Sequence, residues 1–394
     1  MQSNNVVVVS AMRTAIGGFG GTLKNVSAID LGTSTAEAAI NKAQIQASDV
    51  EQSFYGHVIH TQAKDMYLSR VIAMQAGVPE TSPALTVNRL CGSGLQAIVS
   101  AIQTIALGDA NIALAGGAEN MSQGGYLTPS MRWGQRMGDT TMVDMMANAL
   151  QDPFGNGHMG ITAENIAAKY DISRADQDAF AAQSHNRTEH AIAQGYFKEQ
   201  IVPIAIKHRK GEQIFDTDEH YRAGVTAEDM QKLRPAFKKD GLVTAGNASG
   251  INDGAASLIL MNEEEAKRRG LKPLAKVVSY GLGGVAPEIM GMGPVPAMQQ
   301  ALTRANLAAA DLDVIESNEA FAAQACAVSQ QLQLDSNKVN PNGGAIALGH
   351  PVGASGAIIT TKLLHELQRT QGKYGAATMC IGGGQGIAVI FEAM

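Results

Sequence analysis

Cysteine is scarce in this chain of 394 residues: there are three, Cys91, Cys326 and Cys380. An odd count with no framework spacing excludes a disulfide scaffold and points to a reducing compartment. No Cys/His spacing resembles a zinc site. Aromatic residues make up 5%, with one tryptophan, and charged residues 17%. The formal net charge is −6, which argues against a general nucleic-acid binder. No apolar run approaches the ~20 residues of a membrane span. No signal or transit pattern precedes the strand-like Val6-Val7-Val8-Val9, and Phe391-Glu392-Ala393-Met394 is not a peroxisomal tag. The expectation is a cytoplasmic protein that engages neither nucleic acid nor membrane.

What is present is glycine, 43 residues, well above the ~7% usual in globular chains. The excess gathers in a few loops, which reads as site construction. Two stretches echo each other. Residues 39–58 and 301–320 align without gaps, placing Ala43 on Ala305, Ile45 on Leu307, Ala47 on Ala309, Asp49 on Asp311 and Val50 on Leu312. Each reads as a helix end, a turn and a strand. Downstream, Gly92-Ser93-Gly94 and Gly353-Ala354-Ser355-Gly356 each open a helical stretch. An apolar run and a glycine cluster follow in both cases. Two ordered matches favour a duplicated α/β architecture.

Residues 121–250, of different composition, read as an insertion. Ser173 with Asp176 signals a helix start, and Gly195 its end. Residues 205–240 are rich in cations, Lys207, Arg209, Lys210, Arg222, Arg234, Lys238 and Lys239 among them. The Met- and Gln-rich part, 121–146, is a candidate assembly loop.

Three glycine-framed residues carry chemistry. Cys91 follows an apparent strand, Leu85–Leu90, and opens Cys-Gly-Ser-Gly-Leu at a helix start, where the helix dipole and free N–H groups are expected to lower its pKa. His350, in Asn342-Gly-Gly-Ala-Ile-Ala-Leu-Gly-His350-Pro-Val-Gly-Ala-Ser-Gly356, is a base able to accept a thiol proton. Cys380 ends a buried-strand pattern and opens Cys-Ile-Gly-Gly-Gly-Gln-Gly, whose Gly382 N–H suits an anion. Asn318, in Asn-Glu-Ala-Phe, is a further hydrogen-bonding candidate. Gly281-Leu-Gly-Gly-Val-Ala286 formally matches a dinucleotide fingerprint. The Gly/Pro-rich 287–296 that follows reads as a loop, so the motif is rejected.

Taken together, Val87–Leu95, Gly116–Ser122, His158-Met159-Gly160, Leu233–Phe237, Asn247–Ala256, Asn318–Phe321, the His350 loop and Cys380–Gly386 resemble the thiolase family over essentially the whole chain. The resemblance implies a thiolase fold: a duplicated five-layered αβαβα sandwich whose halves each carry a five-stranded sheet. It implies an N-terminal half at 1–120 and 251–272, a loop domain covering coenzyme A at 121–250, and a C-terminal half at 273–394. It further implies an acetyl-CoA C-acetyltransferase of fatty acid metabolism, a homotetramer or dimer. No permanently bound cofactor or metal is expected; acetyl-CoA, acetoacetyl-CoA and CoA are the substrates. Cys91 would be acetylated, His350 would activate it, Cys380 would move the α-proton, and Asn318 would hold a water. The N–H groups of Cys91 and Gly382 would receive the oxyanion. Leu150, His158, Met159, Arg222, Phe237, Ala248, Ser249, Met290 and Phe321 would contact CoA. The pattern departs at Tyr221 and at Asn148–Pro153. The alternatives are a medium- or long-chain 3-ketoacyl-CoA thiolase and a non-catalytic acyl-CoA-binding protein.

Overall fold

The computed structural model describes residues 5–394 except Lys210, so that lysine of the basic stretch lies outside the described residues. Strand β1 (Val6–Thr14) accounts for the N-terminal apolar run: Val6 and Val8 enter one apolar layer, Val7 and Val9 another. A strand buried on both faces reads as continuous apolar sequence, without alternation. Strands β2 (Gln52–Gly56), β3 (Ala84–Val87), β4 (Ile112–Asn120) and β5 (Asn252–Asn262) complete a sheet of order β3-β2-β4-β5-β1. β2 is parallel to β3 and β4, and β5 is antiparallel to β4 and β1.

The C-terminal part repeats this plan. Strands β6 (Ala275–Gly284), β7 (Val314–Ser317), β8 (Tyr374–Ile381) and β9 (Gln385–Ala393) run in the order β7-β8-β9-β6, with β7 and β8 parallel. Where the first sheet has β3, the second has a single parallel bridge, Val339 to Ile315. The expected fifth strand is thus reduced to one bridge. The sheets meet where Val7 pairs with Lys276 and Val8 with Ala275, giving one hydrogen-bonded path and not two separate sheets.

Helices supply the other layers. α1 (Ala28–Lys42) and α2 (Leu68–Gln75) cover the outer face of the first sheet, and α3 (Ser93–Leu107) lies between the sheets. The inserted segment contributes α4 (Met159–Lys169) and α5 (Arg174–Gln194). α6 (Pro294–Ala305) and α7 (Ala322–Leu332) cover the outer face of the second sheet, while α8 (Ser355–Thr370) joins α3 in the middle. Residues 90–107 are apolar enough to match a membrane span by length and composition, but α3 is packed in the central layer. Its Leu95, Ile98 and Ile105 are fully buried, each contributing about 1.5–3 kcal/mol. α3 and α8 cross at small residues: a Cβ on Gly94 would sit 2.8 Å from the Ala357 nitrogen, and one on Gly356 would run into the Leu95 backbone. That close crossing brings the two helix N-termini together, and with them the loops bearing Cys91 and His350.

The duplication is visible residue by residue. Gln44 and Asn306 both leave their helices in the left-handed conformation, at φ 57° and 53°. Single 3-10 turns follow at Ala47–Asp49 and Ala309–Asp311. Asp49 accepts the Gln46 N–H and Asp311 the Ala308 N–H, each at 2.8 Å, before β2 and β7 begin.

The helix at 174–194 forms where its signals place it. Ser173 accepts from the Asp176 N–H, Asp176 accepts in return, and Gly195 ends the helix at φ 73°. The inserted segment is not detached. α4 packs in the outer apolar layer of the second sheet, whereas Ile204, Ile206 and Phe215 join that of the first. Buried Arg13 holds buried Asp218 through both nitrogens, at 2.8 and 3.0 Å, anchoring the segment that leads to Arg222.

Two local expectations change. The strand expected over 85–90 ends at Val87, because Leu90 is left-handed at φ 45° and breaks the extended run. The stretch 287–296 is not a plain loop: a 3-10 turn spans Pro287–Met292 and α6 starts at Pro294. Gly281 and Gly283 serve packing, since a Cβ at Gly283 would meet the Ala297 nitrogen at 2.8 Å.

Candidate active site

Cys91 sits on the sharp turn between β3 and α3. Leu90 just before it holds a backbone conformation that costs a side-chain-bearing residue about 1–2 kcal/mol. The turn is pinned: Ser93 Oγ accepts the Arg89 N–H at 2.8 Å and donates to the Leu90 carbonyl at 2.6 Å, while Asn88 Oδ1 accepts the Leu90 N–H. The backbone N–H groups of Gly382 and of Cys91 itself are directed at the Cys91 sulfur. Two donors converging on one point form a receptor for negative charge.

The thiol is not a preformed thiolate. Burial pushes the Cys91 pKa up, and nearby Glu119 adds to the rise, outweighing the two N–H groups that lower it. The expected lowering by the helix terminus is therefore corrected: desolvation wins at this position.

His350 is buried, and its backbone N–H donates to Asn252 Oδ1 at 3.0 Å. Its Nδ1 lies 2.6 Å from Ser355 Oγ, which donates its single hydrogen to the Pro351 carbonyl at 2.9 Å. With that hydrogen committed, Nδ1–H is the donor to Ser355 and Nε2 carries the lone pair. Nε2 has no hydrogen-bond partner among the described residues. Burial lowers the His350 pKa to about 4, so the ring is neutral at physiological pH and available as a base.

Cys380 lies one residue before the end of β8, ahead of the turn in which Gly383 and Gly384 take φ 80° and 88°. Its thiol pKa is strongly raised, first by burial and then by Cys91. The remaining thiol, Cys326 on α7, is pushed up to about 12 by burial and lies outside the cavity.

Cys91, His350, Cys380 and Gly382 line one cavity of about 460 Å³. Its walls include Leu150, His158, Met159, Arg222, Phe237, Ala248, Ser249, Met290 and Phe321, the full set singled out above. His158 caps α4, accepting the Gly160 N–H on Nδ1 at 3.0 Å, and stacks on Phe237 with centroids 4.6 Å apart. Ser249 Oγ donates to the Ala320 carbonyl at 3.0 Å. The exposed Arg222 has no side-chain partner among the described residues, and Arg234, Lys238 and Lys239 line an adjoining cleft that shares Ala236 and Phe237 with the cavity. An apolar interior with a cationic mouth suits a long thioester ending in phosphates. Among the described residues, no group of three or more acidic, His or Cys side chains is placed to hold a metal.

Asn318 is the exception. It lines a small void behind the cavity, with Ser355, Glu316 and Lys362, and neither atom of its buried amide finds a hydrogen-bond partner among the described residues. Residues not foreseen also contribute. Val58, Met121, Ile251 and Val352 form apolar wall near Cys91, His220 stands beside Arg222 on the lining, and Ser355 sets the His350 tautomer. Met121, Ile251, Val352 and Ser355 fall within the quoted motifs, whereas Val58 and His220 carry no local signal.

The model of the thiolase N-terminal domain matches residues 6–264 and that of the thiolase C-terminal domain residues 271–393. The chain belongs to the thiolase family. This thiolase is 61% identical over 391 residues to the beta-ketothiolase BktB of Cupriavidus necator, with 99% of each chain covered. It is 51% identical over 392 residues to an acetyl-CoA acetyltransferase of Thiocystis violacea, again with 99% of each covered. Human mitochondrial 3-ketoacyl-CoA thiolase, solved in complex with CoA, superposes with a TM-score of 0.97 at 45% identity, covering 99% of this chain and 98% of that one. The expected thiolase fold is the one observed.

Proposed function

We propose that this thiolase is an acetyl-CoA C-acetyltransferase, interconverting two acetyl-CoA with acetoacetyl-CoA and CoA. The observation that carries the reading is the convergence of Cys91, His350 Nε2, Cys380 and the Gly382 N–H on one apolar cavity with a cationic mouth. In the first half-reaction Cys91 Sγ attacks the thioester carbonyl while its proton passes to His350 Nε2. The oxyanion forms between the N–H groups of Cys91 and Gly382. The carbon–sulfur bond to CoA then breaks, and the CoA sulfur takes the proton back, leaving acetyl-Cys91. Because the thiol is raised and the imidazole lowered, proton transfer accompanies attack; no ion pair precedes it.

In the second half-reaction Cys380 passes its thiol proton to His350 Nε2 and, as thiolate, removes the α-proton of a second acetyl-CoA. A thiol whose pKa is raised by burial gives a stronger conjugate base once ionised. The enolate carbon attacks acetyl-Cys91, the carbon–sulfur bond to Cys91 breaks, and the Cys91 sulfur takes the proton from His350 Nε2, restoring both thiols and the neutral imidazole. Asn318 is assigned a water-mediated contact to the enolate oxygen, supported by its unbonded buried amide. Arg222, with Arg234, Lys238 and Lys239, faces the CoA phosphates. Residues 121–250 form the covering segment between an N-terminal half, 1–120 with 251–272, and a C-terminal half, 273–394.

The reading places the enzyme in fatty acid metabolism, in a reducing, cytoplasmic compartment, since both thiols must stay reduced. Assembly into a homotetramer is supported by exposed apolar side chains between 126 and 142, with Trp133 at 91% and Met137 at 85% exposure. Loss of acetoacetyl-CoA absorbance on adding CoA tests the function, comparing wild type with Cys91→Ala and with 3-ketooctanoyl-CoA as substrate. Activity on the four-carbon substrate that vanishes in the variant is expected. Preference for the longer chain would select the β-oxidation reading, and no thiolysis of either would leave an acyl-CoA-binding protein.

A further inference from the structure

Behind the Cys91 turn lies a fully buried charged cluster that the mechanism above does not use. His57, at the end of β2, Asp65 and Glu119, near the end of β4, are each 0% exposed. Glu119 gathers backbone donors from two different loops. Its Oε2 accepts the Val58 N–H at 3.0 Å and the Gly353 N–H at 2.9 Å, and its Oε1 accepts the Ile59 N–H at 3.1 Å. Gly353 lies three residues after His350, and Val58 and Val352 both line the cavity. One carboxylate thus fastens the His350 loop and the wall opposite it to the rigid end of β4. There is no room for a looser arrangement, since a Cβ on Gly353 would run into Glu119 Oε2 and lie 2.9 Å from His57 Cα.

His57 fills the space on the other side of that carboxylate. Its Nδ1 donates to the Ala118 carbonyl at 2.8 Å and lies 3.2 Å from Glu119 Oε1, while Nε2 is 3.7 Å from Asp65 Oδ2. Nε2 finds no hydrogen-bond partner among the described residues. Asp65 is itself held by the Thr61 and Gln62 N–H groups and the Thr61 hydroxyl. The His60 ring stacks on His57 with centroids 5.2 Å apart.

We propose that Glu119 is a positioning residue for the thiol–imidazole pair, and that His57, wedged between Glu119 and Asp65, is the buried counter-ion that keeps the Glu119 carboxylate charged. This rests on reading Cys91 and His350 as the reacting pair. A buried carboxylate without a countercharge takes up a proton, and a protonated oxygen can no longer accept every backbone N–H that Glu119 holds. The titratable groups facing His57 are Glu119, Asp65 and His60; the group facing Glu119 from the cavity side is Cys91. The electrostatics agree. Burial opposes charge on His57, but Glu119 and Asp65 overcome it and raise its pKa to about 9. Burial leaves Glu119 above the usual carboxylate range, and His57 with the three N–H groups works against that rise without cancelling it. Glu119 in turn raises the Cys91 thiol, so the cluster sets the charge felt at the nucleophile.

The test uses the full-length enzyme and two readouts. The first is kcat and the KM for CoA in acetoacetyl-CoA thiolysis; the second is the pH dependence of iodoacetamide alkylation at Cys91, which needs no catalytic turnover. Glu119→Gln, which keeps the shape and removes the charge, is expected to lower kcat on the order of 100-fold, the scale of a displaced reacting group, with the KM for CoA within about threefold. Its alkylation midpoint should move to lower pH, because a negative charge near the thiol is gone. His57→Gln, which removes the counter-ion so that Glu119 takes up a proton, should lower kcat and move the midpoint in the same direction, whereas a midpoint moved to higher pH would contradict the counter-ion role. Unchanged midpoints in both variants, or a change in KM at constant kcat, would overturn the proposal. Should Glu119→Gln fail to fold, the direction of the His57→Gln midpoint decides alone. A wild-type enzyme with no thiolysis would defeat the proposed activity while leaving the alkylation readout intact.

Discussion

Replacing Ser355 by alanine probes the geometry at its most specific point. The hydroxyl accepts from His350 Nδ1 at 2.6 Å and directs its own hydrogen to the Pro351 carbonyl. Without it, the buried Nδ1–H loses its partner, an uncompensated cost of about 1–3 kcal/mol. The ring escapes that cost by moving its proton to Nε2, which removes the lone pair from the cavity side. At 1.36 kcal/mol per tenfold, kcat should fall by about 10- to 100-fold. The KM for CoA should change little, because Ser355 does not line the cavity. Steady-state thiolysis of acetoacetyl-CoA, with the burst of free CoA on mixing enzyme with acetyl-CoA, separates the effects: the burst should slow while its amplitude persists. Ser355→Thr, which retains a hydroxyl, should recover much of the rate if it fits. A Ser355→Ala enzyme within about twofold of wild type in kcat would refute the tautomer argument.

Three further outcomes rest on the same geometry. Arg222→Ala should raise the KM for CoA about tenfold at near-constant kcat, since the exposed guanidinium stands at the cavity mouth away from the reacting atoms, and a CoA lacking its 3′-phosphate should narrow the difference. Gly356→Ala should cost about 1–3 kcal/mol or more in urea unfolding, because the new methyl meets the Leu95 backbone where α3 and α8 cross. His350 and His185 are both lowered by burial to about 4, so the stability they contribute is complete above pH 6.5 and lost as pH falls toward 4, whereas that from His57 is complete below 6.5 and lost as pH rises through about 9. His185→Gln should therefore unfold less steeply with acid, a shift that urea melts across this range would register.

Much of this was legible in the sequence for physical reasons. An unbroken run of valines marks a strand buried on both faces. Ser173 and Asp176 satisfy each other's backbone partners, and Gly195 ends the helix they begin. Repeated spacing around Asp49 and Asp311 reflects one turn used twice, because each aspartate makes the same backbone contact three residues back. Glycine frames, which let backbone approach closely, singled out Cys91, His350 and Cys380, whereas the other lining residues were indicated only by the resemblance to the thiolase family.

Other features depend on contacts that no local pattern encodes. The sign of the Cys91 shift turns on how deeply the fold buries the thiol. Asn318 sits behind the cavity because, one residue past the end of β7, its N–H still donates to the Thr378 carbonyl at 3.0 Å and holds it against the sheet. The Glu119 cluster joins residues from the ends of β2 and β4 and the loop after His350, distant in sequence and adjacent only through the parallel pairing of β2 with β4. The reduced edge at Val339 likewise depends on sheet closure, which a repeat detected in β2 and β7 does not report.

The central claim is that Cys91 carries the acyl group between two half-reactions. Mixing the enzyme with acetyl-CoA, quenching in acid and analysing its peptides by mass spectrometry tests it most directly. One acetyl group is expected on the peptide containing Cys91, released by added CoA and missing from Cys91→Ala. An acetyl group on Cys380 instead, or none on either thiol while turnover continues, would contradict it.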